Sequence, residues 1–232
     1  MKLICQNQSG AQKLLNFFLL TAFLSMILAY IIGVMNGNHE AWLPFISELD
    51  ESSPEGTLWT FGLTIAGVAS IPIWMKLYGK WDRELRSSNA GEKWLRFNLL
   101  IFVMAQIATV SLIWCVNLPF NKYPIPHVAT AAVYFWLVLG LGTIAIFVVR
   151  KIDNYPKDLI RVRLALNLTG YASMILMGVF IPQEITQGMQ LDPNHAHNIH
   201  SISALFEWLM VFTAQLGYFY TFNYDMESES TT

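Results

Sequence analysis

Charge is what this sequence has least of. Of its 232 residues, 13% are Asp, Glu, Lys or Arg, against roughly a quarter in ordinary soluble domains, and that deficit excludes a typical water-soluble globule. Cysteine is scarce as well: two residues cannot build a disulfide scaffold. Cys5 lies in a polar N-terminal stretch and Cys115 in an apolar one, which argues against their pairing. There is no basic excess. The formal net charge is −2, and no Lys and Arg face of the kind that binds nucleic acid is present. Several catalytic patterns are missing too: Gly-x-x-x-x-Gly-Lys for nucleotide phosphates, His-Glu-x-x-His and Gly-x-Ser-x-Gly. A retinal Schiff base would need a lysine in the middle of an apolar run, and a bis-histidine haem would need histidines at that depth on two runs; neither is found.

What the sequence has is hydrophobicity, 54% of residues, gathered between clusters of charge. Six apolar stretches can be drawn, about Leu14–Met35, Leu58–Tyr78, Phe97–Leu118, Val128–Val149, Leu164–Glu184 and Ile202–Phe222. Each has the length of about twenty residues that crosses a hydrocarbon core. The first is too long for a signal-peptide core and ends in Gly33, Asn36 and Gly37 without a small-x-small cleavage site. Because lipid offers the backbone no hydrogen-bond partners, the stretches should close as helices. The expected fold class is all-α: a polytopic six-transmembrane-helix bundle, one domain over 1–232, with an acidic tail over 223–232. Every Lys and Arg except Lys122 falls on one side of the alternating loops. By the positive-inside rule, that bias predicts cytoplasmic N and C termini. The membrane would be lysosomal, another endomembrane or the plasma membrane in a eukaryote, and the inner membrane in a bacterium. Basic residues in the cytoplasmic loops, Arg163 among them, would attract anionic headgroups.

The opposite side is acidic and rich in histidine, and any external chemistry belongs there. Its first loop carries the apolar segment Trp42 to Ile46, which should fold back onto the bundle. Glu207 lies inside the sixth stretch, where a carboxylate is costly and must face the interior or find a partner. At 100° per residue, His200, Ser203 and Glu207 share one helix face. His127 opens the fourth stretch after Pro124 and Pro126, positions permitted at a helix start, and a His there could meet Glu207 across two helices. Such a pair would serve as a general acid and base or as a proton-sensitive latch; an interhelical hydrogen bond or a capping role explains the same residues. Ser47 and Ser203 are weak nucleophile candidates. His195, His197 and His200 fall within six residues, and His-x-His can reach zinc, given a further ligand from His127, His39, Asp192 or Glu48. No cofactor is expected, with zinc the lesser alternative. The partners expected are membrane lipids.

Pro44, Phe45, Ile46, Ser47 and Glu48, then Pro54 and Glu55, stand shortly before a stretch containing Phe61. This order resembles the first-loop signature of the six-span family that includes the DRAM autophagy modulators, Frag- and Sfk-type proteins and the Cwh-type N-terminal domain. His127 with Ala131 and Phe135, and Ser203 with Glu207 and Trp208, resemble that family's marks on the fourth and last spans. Leu49 and Asp50 stand where the family often has a small residue. The resemblance implies a six-helix bundle with the Pro-Phe-Ile-Ser-Glu loop over its outer mouth, and roles in autophagy, GPI-lipid remodelling or membrane-lipid organisation. Three functions follow as expectations. The first is a non-enzymatic protein that binds or organises lipid. The second is an outer-leaflet lipid-modifying enzyme using Glu207 and His127. The third is a proton-coupled carrier or pH sensor.

Overall fold

In the computed structural model, residues 8–39, 41–180 and 193–227 are described, with the backbone alone for 193–199. Helix α1 (Gly10–Met35) begins at a capping box: the Gln12 amide donates to Ser9 Oγ at 3.1 Å and the Ser9 amide to Gln12 Oε1 at 3.0 Å, which satisfies two amides that a helix start leaves free. A 3₁₀ turn (Ile46–Asp50) follows in the first loop. Then come α2 (Glu55–Ser87), α3 (Glu92–Val116), α4 (Pro124–Val149) with Pro124 at its first position, and α5 (Lys157–Phe180). The last span starts as α6 (Pro193–Met210) and runs through a π-helical stretch (Val211–Gly217) into α7 (Tyr218–Tyr220) and α8 (Phe222–Glu227). No strand occurs among the described residues.

Among the described residues, six helices are long and apolar enough to cross a membrane. Large apolar side chains such as Phe61, Trp114, Ile125 and Val179 stand 64–81% exposed around the bundle. In water such a surface would aggregate, whereas in hydrocarbon it costs nothing. Inside, close helix approach replaces hydrophobic drive. A Cβ on Gly62 of α2 would lie 2.3 Å from the Ser25 Cβ of α1, and one on Gly170 of α5 would lie 2.5 Å from the Ala214 Cβ, the small-residue contacts that bring backbones together in membranes. Buried hydroxyls and amides join helices further: Ser70 to Thr109 at 2.8 Å and Asn167 Nδ2 to Thr143 Oγ1 at 2.8 Å.

At the end of the bundle where the Ser9 hydroxyl donates to the Met226 carbonyl, the structure departs from the sequence reading. Arg163 is fully buried in α5 rather than lying in a headgroup-facing loop. Its guanidinium pairs with Asp225, donates from Nη1 to the Tyr155 hydroxyl at 2.6 Å and from Nε to Thr221 Oγ1 at 2.9 Å. Asp225 Oδ1 also accepts from Trp81 Nε1 at 3.0 Å and from the Tyr155 hydroxyl at 2.9 Å, while Lys80 Nζ donates to the Asp225 carbonyl at 2.6 Å. Burial and the Asp225 charge raise Tyr155 above the usual phenol range. The expected acidic tail is therefore corrected in its first part. Phe222–Glu227 is helical, because Asp225 is the counter-ion that lets α5 carry a buried arginine; 228–232 lie outside the described residues.

Candidate functional site

The first loop is built from its ends inward. The Asn36 and Asn38 side-chain amides donate to the Glu55 carboxylate, which is fully buried in the first turn of α2, where a negative charge suits the free amides of a helix start. Between them the chain folds back onto the bundle, as the apolar segment predicts. The Phe45 amide donates to Glu48 Oε2 at 2.9 Å and starts the 3₁₀ turn. Two bonds then reach the last span: Trp208 Nε1 donates to the Pro44 carbonyl at 2.8 Å, and the Ile46 amide donates to Glu207 Oε2 at 2.6 Å. Glu207, 8% exposed, thus finds its partner in loop backbone.

Asp50 closes the turn. It is buried, and its Oδ1 accepts from the Phe120 amide at 3.3 Å, while Oδ2 has no hydrogen-bond partner and lies 3.9 Å from His127 Nδ1. Burial pushes the Asp50 carboxyl up to about 7, opposed by the Phe120 amide and reinforced by the Glu51 charge. Glu51 is raised as well, by burial and by Glu48.

His127 is buried at the start of α4, and no ion pair joins it to Glu207. Its Nδ1 lies 2.7 Å from the Leu118 carbonyl and its Nε2 lies 3.6 Å from Cys115 Sγ. A carbonyl only accepts, so Nδ1 carries the hydrogen, and in the neutral ring Nε2 is left to accept the weak thiol bond. The expected His127–Glu207 contact is corrected accordingly, because the tight Pro119–Tyr123 connection holds the ring against its own loop.

His127 and Glu207 nevertheless face one space. A cavity of about 330 Å³ lies between α4, α5, α6 and the first loop, lined by Ser47, Glu48, His127, Phe135, His200 and Glu207 among others. Val128, Ala132 and Trp136 line it too and are exposed on the outside of the bundle, so the cavity opens sideways between α4 and α5. Behind it a smaller cavity of about 70 Å³ reaches the bundle interior and shares Ser47, His127, Ala131, Phe135 and Glu207 with the first.

Of the residues singled out from sequence, Ser47, Glu48, Phe45, Phe135, His127, His200 and Glu207 converge on the lateral cavity. Ile46 lines the inner one, and Pro44 and Trp208 tie the loop down. Glu55 serves as the loop's anchor beside Pro54. Ser203 does not join them: its hydroxyl donates to the Met177 carbonyl at 2.9 Å, which binds α6 to α5. His200 Nε2 lies 3.2 Å from Glu48 Oε1 and the ring meets Phe45 edge-on, while the side chains of His195 and His197 lie outside the described residues. Among the described residues no group of three His, Cys, Asp or Glu is placed to hold a metal.

Sequence reasoning missed Trp59, Met174 and Met177 as lining residues, because an aromatic or methionine in an apolar span is indistinguishable from packing. Asp50 and Gln215 carried a signal, a carboxyl next to an apolar loop segment and an amide deep in a span.

The family model described as the Frag1/DRAM/Sfk1/Cwh43P N-terminal domain matches residues 12–229. The chain is also similar to DNA damage-regulated autophagy modulator protein 1 of Xenopus laevis, 21% identical over 235 residues that span 97% of this chain and 95% of that protein. No solved structure matches it.

Proposed function

The chain belongs to the Frag1/DRAM/Sfk1/Cwh43P N-terminal-domain family, and from that premise we propose that it is a non-catalytic, lipid-binding protein that modulates autophagy-linked membranes. The observation that carries this reading is the lateral cavity. At about 330 Å³ it falls at the small end of ligand pockets, it opens toward the hydrocarbon-facing surface, and its walls change from Val128, Ala132, Trp136 and Met174 to Ser47, Glu48 and His200. That gradient suits an amphiphile, with its chain in the apolar part and its head beneath the first loop.

Binding is favoured over chemistry by the state of the candidate catalysts. Both nitrogens of His127 are engaged, and the Ser203 hydroxyl is turned onto Met177. The bias of basic residues supports cytoplasmic termini, and the relative's name, an autophagy modulator, supports the link to autophagy.

Lipid extraction tests the reading. Purified from native membranes without delipidation, the chain should carry lipid visible by native mass spectrometry, and Ala131→Phe, which fills the wall shared by both cavities, should strip it while monomer yield is kept. An unchanged lipid complement in that well-folded variant would remove the basis of the proposal.

A second reading has its own observation: Asp50, a buried carboxyl raised to about 7 beside His127, could make the first loop a proton-responsive latch.

A further inference from the structure

We infer that the inner cavity reads the hydroxyl group of a neutral lipid, glyceride or sterol, whose hydrocarbon occupies the lateral cavity; this rests on the lipid-binding reading above. The inner cavity is lined mostly by apolar side chains, yet two buried donors in its wall have no partner. Trp59, 3% exposed, has no acceptor for its indole Nε1, and Gln215 has none for its amide Nε2. The Gln215 orientation is set from its other end, where Oε1 accepts from the Tyr134 hydroxyl at 3.1 Å. Buried polar atoms are rarely left without partners in native proteins, and such exceptions call for a ligand, water or ion.

The chemistry of the wall selects the ligand. An indole N–H and an amide NH₂ only donate, and the Glu207 carboxylate on the same wall accepts. A hydroxyl both accepts and donates, so it can satisfy members of both sets. A phosphate cannot. Among the described residues lining the two cavities none is Lys or Arg, and Glu48 and Glu207 add carboxyl groups in place of a cation. Size argues the same way: about 70 Å³ accepts a hydroxyl or hydroxymethyl and leaves no place for a phosphodiester head.

The backbone adds a further observation. Gln215 lies within the π-helical stretch Val211–Gly217, and π turns inside α-helices are rare and found largely at functional sites. This one begins a single turn past Glu207 and carries the unpartnered amide. The five residues common to both cavities set the two side by side, the opening in the outer one and these donors in the inner one.

The test uses the full chain in nanodiscs with photoreactive diacylglycerol and sterol probes, their deoxy analogues in which hydrogen replaces the hydroxyl, and a photoreactive phosphatidylcholine. Labelling should fall on α4 and α5, with a preference of about five- to tenfold for hydroxyl over deoxy probe, the worth of roughly one hydrogen bond. The stronger of the glyceride and sterol arms identifies the source of the hydroxyl. Trp59→Phe, which removes the N–H without a partner together with part of the ring, should bring the hydroxyl-to-deoxy ratio toward one while the deoxy probes still label. If that variant fails to fold, Gln215→Met carries the same comparison. Equal labelling by hydroxyl and deoxy probes, or a preference for phosphatidylcholine, overturns the inference and leaves the lipid-cavity reading standing. No labelling of α4 and α5 by any probe overturns both.

Discussion

An ionisable residue inside a membrane bundle has to be answered by a polar partner, and this chain answers two of them differently. Glu207 is met by the Ile46 amide of the first loop, whereas Arg163 is met by Asp225, Tyr155 and Thr221. Removing one partner of a buried ion pair leaves an uncompensated charge, at roughly 3–5 kcal/mol. Asp225→Ala should therefore lower thermal stability in detergent by about that amount, and Arg163→Leu with Asp225→Leu together should recover most of it, as read from the unfolding midpoints of the two variants. An equal loss in the double variant would show that hydrogen bonds, and not the charge pair, hold this end. Glu207 was legible in the sequence because a carboxylate five residues into an apolar run has few innocent explanations. Asp225 was not, since an Asp among Tyr224, Met226 and Glu227 near the C terminus has the composition of a solvated end, and only the packing of α8 on α2 and α5 gives it a cation. His127 was legible as a site residue, but its partner was not: nothing in the spacing says that the ring turns to Leu118 and Cys115.

Among the elements, the six spans could be read from length and apolarity alone, because the bilayer tolerates no other backbone solution. Their ends could not. Helix α2 begins at Glu55 and runs to Ser87, well past the apolar run that ends near Tyr78, since Lys80, Trp81 and Leu85 are buried against neighbouring elements. The π stretch also left no trace in periodicity, a one-residue widening being too small to shift an apolar pattern. The first loop, by contrast, could be placed on the bundle from its Pro-Phe-Ile core. Its attachment should depend on acidity. Burial raises Asp50 from an ordinary carboxyl value of 3.8 to about 7, so the folded loop binds a proton that the unfolded chain releases. The resulting stability is full below about 4 and is lost as the pH rises through about 7. Hydrogen exchange of the 46–51 amides, corrected for intrinsic rates, should be slower at pH 5.5 than at pH 7.5, and Asp50→Asn should shrink that difference to the part that Glu51 supplies. A loop equally protected at both values in the wild-type chain would exclude Asp50 as its proton-binding group.

At the scale of the whole molecule, six helices of spanning length would return the chain to the face from which it started, with the Arg163–Asp225 lock at one end of the bundle and the first loop at the other. Small tags fused to the two termini should be protected or exposed together in selectively permeabilised cells, with a tag in the 117–123 connection showing the opposite behaviour. Termini on different faces would contradict the arrangement.

The bond between the Ile46 amide and Glu207 joins residues 161 positions apart, and this separation carries a consequence for biogenesis. A ribosome finishes the first loop long before it makes its anchor. Throughout synthesis of the middle spans, the Pro-Phe-Ile segment is held only through its ends, by Glu55 and later by the Phe120 amide on Asp50. The two bonds that fasten its centre come with the last span.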